Sequence, residues 1–137
     1  MDYNLTAERN GFYMSVAIVY LPKGYSFEQK QCLITKTKAA CMAGLRVTEK
    51  HSSVFIRELE PDCMDDYAKN TKYLFVYTTL GKTPEGKDLV CRGFDEACAE
   101  VFGEEKGRTI VLFKEHSDEN AGSNGYLRPF RPQKPKK

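Results

Sequence analysis

The fold is decided by residues 16–30, VAIVYLPKGYSFEQK, because the chain repeats the pattern of this stretch 57 residues later. The repeat continues without a gap into the segments that follow, where Ala40, Cys41 and Val54 meet Ala97, Cys98 and Val111. Self-similarity at one fixed offset indicates two copies of one supersecondary unit. The matched pairs within the stretch itself are Val19 and Val76, Tyr20 and Tyr77, Gly24 and Gly81, Glu28 and Glu85, and Lys30 and Lys87.

Length and composition are typical of one globular domain. The 137 residues are 41% apolar and 12% aromatic, which is enough for a hydrophobic core. The net charge of +2 is too small to indicate nucleic acid or an anionic membrane as a partner. The chain begins with polar and acidic residues, and its longest apolar run, residues 16–21, is far shorter than the roughly 20 residues of a membrane span. We therefore expect a soluble cytoplasmic protein.

The five cysteines predict neither disulfides nor a metal site. Their number is odd, no two of them have the C-x-x-C spacing, and most lie in segments with a helical pattern. We interpret them as reduced residues, mostly in the core, and we expect no metal and no cofactor. The five are Cys32, Cys41, Cys63, Cys91 and Cys98.

Each unit has the pattern of a strand, a helix and a second strand. In the first unit, residues 15–21 predict a buried strand, the Ser26 and Gln29 pair predicts a capping box at a helix start, and residues 53–59 predict the second strand. In the second unit, residues 73–79 and 109–113 predict strands around a helix that starts at Thr83 and Pro84 and is capped by Gly103. A short hairpin through residues 120–127 follows.

These elements give the domain boundaries. We expect an N-terminal extension over residues 1–14, a single domain of two repeats over residues 15–127, and a tail over residues 128–137. The repeats span residues 15–60 and 72–127, with a polar connector between them. The tail alternates prolines with arginines and lysines, a composition typical of an extended segment.

A strand-helix-strand unit of this length has parallel strands and a right-handed crossover, so both helices should cover the same face of a four-stranded α+β sheet. The other face would be apolar and bare. A bare apolar face of that size requires a partner surface, and symmetric self-association is the usual solution. We therefore expect a homo-oligomer.

The duplicated unit resembles the tautomerase superfamily over about residues 15–130. The resemblance lies in residues 15–20 (SVAIVY), residues 75–77 (FVY) and residues 125–129 (GYLRP), which look like the first strand, third strand and closing segment of fused-unit members such as cis-3-chloroacrylic acid dehalogenase. The single-unit relative is 4-oxalocrotonate tautomerase. The resemblance implies a homotrimer of fused units with the sheets facing a central core.

The family's chemistry depends on an N-terminal proline, whose secondary amine moves protons between carbon and oxygen. Its position falls here on Ser15, and no proline precedes residue 22. In the intact chain the nitrogen of residue 15 belongs to an amide, which has no useful basicity. If translation started at Met14 and that methionine were removed, Ser15 would carry an α-amine with a reference pKa of about 7.7–8.0.

The other family positions are substituted as well. The resemblance places one arginine of the pair that binds the substrate carboxylate on Lys82, and the other has no counterpart. The helix histidine falls on Cys41, and the tyrosine and glutamate that position water fall on Leu112 and Ser123. None of the six family residues is retained, which argues against hydrolytic dehalogenation. A lysine at 82 can still hold a small carboxylate as a point charge.

Three classes of function stay open. The first is a weak or repurposed keto-enol tautomerase acting on a small carbonyl acid. The second is a non-catalytic family member, a pseudoenzyme that serves as a trimeric binding or assembly module. The third is an unrelated ligand-binding domain of ferredoxin-like topology, which would have antiparallel neighbouring strands and no trimer.

Overall fold

The computed structural model describes residues 14–132, so all but the last residue of the expected extension (1–14) and residues 133–137 of the expected tail lie outside the described part. The main elements are β1 (Ser15–Pro22), α1 (Phe27–Leu45), β2 (Ser52–Leu59), the short helix α2 (Asp66–Lys69), β3 (Lys72–Thr79), α3 (Pro84–Phe102) and β4 (Thr109–His116). A small hairpin of β5 (Gly122–Ser123) and β6 (Tyr126–Leu127) follows.

The two units have identical element bounds. β3, α3 and β4 each begin and end 57 residues after β1, α1 and β2. The duplication read from the sequence is therefore confirmed element by element, and the domain is built from two equal strand-helix-strand units.

The four long strands form one mixed sheet in the order β2-β1-β3-β4. Within each unit the strands are parallel, and the two units meet through the antiparallel pair of β1 and β3. Because the neighbouring strands of each unit are parallel, the ferredoxin-like alternative is wrong.

Both long helices lie on one face of this sheet. They pack against each other and against the strands of their own units. Alternate strand residues point into this layer, which is why β1 and β3 show a regular alternation of buried and partly exposed positions over most of their length. The core includes Val19, Leu33, Leu74, Val90 and Phe94.

Neither of the two long helices lies on the opposite face of the sheet, which we call the open face. Its central row runs across all four strands as Phe55, Ile18, Phe75 and Leu112 in register. The outer two are about half exposed, at 48% for Phe55 and 54% for Leu112. The open face is thus apolar along its middle, as the sequence predicts.

The helix ends follow the capping signals. The Ser26 hydroxyl accepts from the Gln29 amide, and the Gln29 side chain accepts from the Ser26 amide, so the predicted capping box is present. Thr83 caps α3, Pro84 is its first residue, and Gly103 closes it in the left-handed conformation. α1 ends one residue beyond Gly44, at Leu45, with Arg46 in the left-handed conformation.

Three segments are more ordered than their composition suggests. The connector contains a 3-10 turn (Pro61–Cys63) and helix α2, and β4 extends to His116 instead of ending at residue 113. At the start of the expected tail, residues 128–130 form a 3-10 turn in which Arg128 is buried and its amide donates to the Ala121 carbonyl. Burial, with Arg131 nearby, lowers the pKa of Arg128. These turns and contacts leave no periodic pattern in the sequence.

Candidate functional site

Ser15, on which the sequence resemblance places the family proline, is the first residue of β1 and is 1% exposed. Its hydroxyl lies 3.2 Å from the hydroxyl of Ser52, the first residue of β2. Its side chain points to the helix-covered face of the sheet, together with Ala17 and Val19. The side chain of Ser15 thus forms part of the packing between the paired strand starts.

The peptide bond before Ser15 is fixed in the sheet. The Met14 carbonyl oxygen accepts a hydrogen bond of 2.8 Å from the Thr78 hydroxyl and one of 3.4 Å from the Thr79 amide. Because the nitrogen of Ser15 belongs to this amide, its lone pair is delocalised and cannot serve as a general base. The proline position therefore holds no basic amine in the intact chain.

Lys82 lies in the turn between β3 and α3, at the same end of the sheet as Ser15. Its ammonium group donates a hydrogen bond of 2.9 Å to the carbonyl oxygen of Leu45, the last residue of α1. A cation at a helix C-terminus satisfies a free carbonyl and interacts favourably with the helix dipole. Lys82 therefore ties the second unit to the end of the first helix.

Cys41 lies inside the domain. It is fully buried in α1, and burial raises the pKa of its thiol to about 12. Its repeat equivalent, Cys98 in α3, is 3% exposed, and burial likewise raises its pKa to about 12. Neither thiol can act as a nucleophile near neutral pH.

Leu112 and Ser123 lie elsewhere. Leu112 is in the middle of β4 on the open face, opposite Phe75, and Ser123 is in the small hairpin, opposite Tyr126. The structure therefore places Ser15 and the Lys82 turn at one end of the sheet, Cys41 in the helix layer, and Leu112 on the other face. The five predicted positions do not form one constellation of reactive groups.

The same end of the sheet contains an orphaned polar group that the sequence does not reveal. The Thr79 hydroxyl is buried and has no hydrogen-bond partner among residues 14–132. Its register partner His116 stacks on Tyr77, with ring centroids 5.8 Å apart. An unpaired buried hydroxyl costs free energy, so this corner of the sheet is polar but not fully satisfied.

Lys72 is a second group that sequence reasoning missed. It is the first residue of β3 and the repeat equivalent of Ser15, so the offset of 57 could have identified it. Its side chain is 3% exposed, and its ammonium lies 2.7 Å from Glu104 and over the rings of Tyr25 and Phe102. Burial lowers the pKa of Lys72, but hydrogen bonds with Glu104 and Tyr25 outweigh it, so the pKa is raised. Lys72 and Glu104 thus form an ion pair that stabilises the fold.

A cavity of about 480 Å³ lies at the other end of the open face, under the connector between the units. Tyr20, Tyr73 and Phe75 line it from the sheet, and Tyr67 of α2 lines it from the connector. None of the five predicted positions lines it. The connector reads as polar in sequence, so its fold over the sheet could not have been foreseen from composition.

No group of three or more histidine, cysteine or acidic side chains among residues 14–132 is placed to hold a metal ion. In the same part of the chain, no helix has the length and apolar character needed to cross a bilayer.

Comparisons with known proteins identify the fold. No family model matches the chain, and no curated protein matches it in sequence. Native fused 4-OT has 19% sequence identity and a TM-score of 0.76, with 83% of this chain and 96% of that chain covered. Malonate semialdehyde decarboxylase has 17% identity and a TM-score of 0.69, covering 82% and 93% of the two chains.

Macrophage migration inhibitory factor of Toxoplasma gondii is similar to the same extent, with 15% identity, a TM-score of 0.69, and coverage of 81% of this chain and 97% of that chain. Fused 4-OT and malonate semialdehyde decarboxylase belong to the tautomerase superfamily, the family that the sequence resembles. The two tandem units, the mixed sheet and the pair of helices on one face give this chain the tautomerase-superfamily fold.

Proposed function

We propose that the intact chain is a non-catalytic protein of the tautomerase superfamily that serves as a homotrimeric binding or assembly module. The observation that supports this is the peptide bond between Met14 and Ser15. Its carbonyl is hydrogen-bonded to Thr78 and Thr79, and its nitrogen is an amide where the family has a basic amine. An enzyme that depends on that amine loses its general base when the position is inside the chain.

The substituted neighbours support the same proposal. Lys82 donates to the carbonyl of Leu45 and Cys41 is buried with a raised pKa, so neither is presented to a substrate as the corresponding family residue would be. Leu112 offers only hydrocarbon. The binding of a small carboxylate at Lys82 belongs to the second candidate, the tautomerase described below.

Self-association as a trimer is supported by the open face and by structural relatives. The row of Phe55, Ile18, Phe75 and Leu112 is continuous across the sheet, and its outer members are about half exposed. Apolar surface of this kind is stabilised by burial against another copy. Fused 4-OT proteins of the same fold form symmetric and asymmetric trimers.

A weak keto-enol tautomerase acting on a small carbonyl acid is the second candidate. It requires a chain that begins at Ser15, whose α-amine would have a reference pKa of about 7.7–8.0. Removal of residues 1–14 would expose this amine at the end of the sheet that also holds the Lys82 turn and the orphaned Thr79 hydroxyl. Ser15 would be the base, and Lys82 would have to leave Leu45 to hold a carboxylate.

Intact-mass spectrometry of the protein from its native source, combined with an activity assay, tests the two candidates. If the mass includes Met1 or Asp2 and the protein ketonises phenylenolpyruvate no faster than buffer, the non-catalytic proposal is supported. A mass that begins at Ser15, with ketonisation above the buffer rate, supports the tautomerase instead. Sedimentation equilibrium tests the trimer, and a monomer at micromolar concentration would contradict it.

A further inference from the structure

The cavity under the connector has the chemical character of a site for an organic cation. Its sheet side consists of aromatic rings: Tyr20 and Phe75 meet edge to face with centroids 5.1 Å apart, and Tyr73 and Phe75 are stacked with centroids 6.5 Å apart. Tyr67 of α2 is a fourth aromatic residue of the lining, and it is 65% exposed. Aromatic rings gathered around one space attract an ammonium group.

The charge of the lining agrees with this chemistry. The lining contains one carboxylate, that of Asp65, and no lysine, arginine or histidine. One oxygen of Asp65 accepts from the Ala68 amide, which fixes the carboxylate at the start of α2. A cation in the cavity would thus lie near aromatic rings and the negative charge of Asp65, whereas Asp65 would repel a carboxylate ligand.

Size is consistent with a small molecule. The volume of about 480 Å³ falls in the range of roughly 300–1,000 Å³ that ligand sites occupy. The sheet side of the cavity lies at the far end of β1 from Ser15, because Ser15 begins this strand and Tyr20 is near its other end. The site is therefore separate from the position of the family proline, but Phe75 also belongs to the apolar row of the open face, so the proposal requires that the cavity stays accessible in the trimer proposed above.

We propose that this cavity binds a small organic cation of the alkylammonium class, with Tyr20, Tyr73, Phe75 and Tyr67 around the ammonium and Asp65 as its counter-charge. Arg57, the register partner of Tyr20 on β2, carries a positive charge on the same strand row as Tyr20. It does not line the cavity. The positive charge of Arg57 repels a bound cation, so a variant without this charge should bind the cation more tightly.

Titration of the full-length, isotope-labelled protein with choline, followed by amide chemical shifts, tests the proposal. Choline should shift amides of residues 63–68, 20 and 73 and saturate. Its uncharged carbon isostere 3,3-dimethylbutanol should bind at least about two- to five-fold more weakly, the factor that a cation–π contact supplies at an exposed site. Phenylacetate should cause no saturable shift at these amides. Equal affinity for choline and its isostere would overturn the proposal.

Three variants sharpen the test. Asp65→Asn removes the charge but keeps an oxygen that can cap α2, so it should weaken choline binding by up to about five-fold, the range of an exposed ion pair, without loss of stability. Arg57→Gln should strengthen binding. Tyr126→Leu, which changes an exposed tyrosine outside the cavity, should leave the affinity unchanged. An Asp65→Asn variant that binds choline as well as wild type would contradict the assignment.

A second copy of the chain is the competing occupant. If choline shifts the cavity amides only in a variant whose trimer has been broken, such as Leu112→Glu, then a neighbouring subunit covers the cavity and the proposal is wrong. Sedimentation of the same samples shows whether the wild type is a trimer. If the wild type is a monomer and binds choline, the trimer proposal fails and the cation-site proposal stands.

Discussion

Gly44 of α1 and Gly86 of α3 touch backbone to backbone. A methyl group built on either glycine would come closer than 3.0 Å to the carbonyl oxygen of the other, a separation that real Cβ atoms essentially never show. Farther along the same interface, a methyl group on Gly93 would lie 2.6 Å from the Ala40 side chain. The two long helices therefore approach at their closest where neither has a side chain.

Replacement of Gly44 by alanine should destabilise the protein by about 1–3 kcal/mol, because a backbone oxygen cannot move aside and the helices must separate. The loss should exceed the gain of about 0.5–1 kcal/mol that alanine brings to a helix interior. Urea unfolding followed by circular dichroism measures the difference. Gly93→Ala is the matched comparison, and it should cost less since it meets a side-chain methyl. A Gly44→Ala variant as stable as wild type would show that the helices are not held this closely.

Replacement of Glu104 by glutamine should leave the buried ammonium of Lys72 without its counter-charge. Breaking a buried pair by removing one partner costs about 3–5 kcal/mol, and partial exposure of the Glu104 side chain, at 32%, reduces the expectation to about 2 kcal/mol. Lys72→Met, which removes the charge and keeps the apolar stem, should cost less. The exposed pair of Lys23 and Glu60 is the control, and Glu60→Gln should leave the free energy of unfolding nearly unchanged.

The pH dependence of the same pair has a defined sign. Glu104 raises the pKa of Lys72 in the folded protein. The stabilisation is therefore complete below the unfolded pKa of about 10.4 and is lost as pH rises through the folded value. The stability difference between wild type and Glu104→Gln should be constant from about pH 7 to 9 and should shrink above about pH 10.5. A difference that grows at alkaline pH would contradict the pairing.

The five cysteines should separate by reactivity. Cys32 and Cys63 are exposed, whereas burial raises the pKa of both Cys41 and Cys98 to about 12. At pH 8 the two buried thiols are ionised to roughly one part in 10⁴. Ellman's reagent should therefore modify the exposed pair first, Cys91 more slowly, and the buried pair only after unfolding in urea. Rapid labelling of all five in the native protein would contradict the described packing.

Leu112→Glu should dissociate the proposed trimer, because it puts a carboxylate into the apolar row of the open face. Analytical ultracentrifugation measures the effect, with wild type expected at three times the mass of the variant. Leu89→Glu is the matched control, since Leu89 is 46% exposed on the helix side. It should leave the assembly unchanged. A trimer that tolerates both changes would mean that the open face is not the interface.

The internal repeat made most of the fold predictable. One offset gave the two units and their equal elements, and capping residues such as Ser26, Thr83 and Gly103 gave the helix ends. The site was less predictable because its contacts join distant residues. The hydrogen bond from Lys82 to Leu45 and the fold of the connector over Tyr20 and Tyr73 depend on tertiary packing, which leaves no periodic pattern. Burial of Arg128 was missed for the same reason.

The hydrogen bonds to the Met14 carbonyl have a consequence for any version of this protein that begins at Ser15. Loss of that carbonyl would leave the Thr78 hydroxyl and the Thr79 amide directed at a vacant acceptor position beside the new amine. Two such donors can stabilise an oxyanion. A single cut would thus place an amine and two hydrogen-bond donors side by side at this end of the sheet.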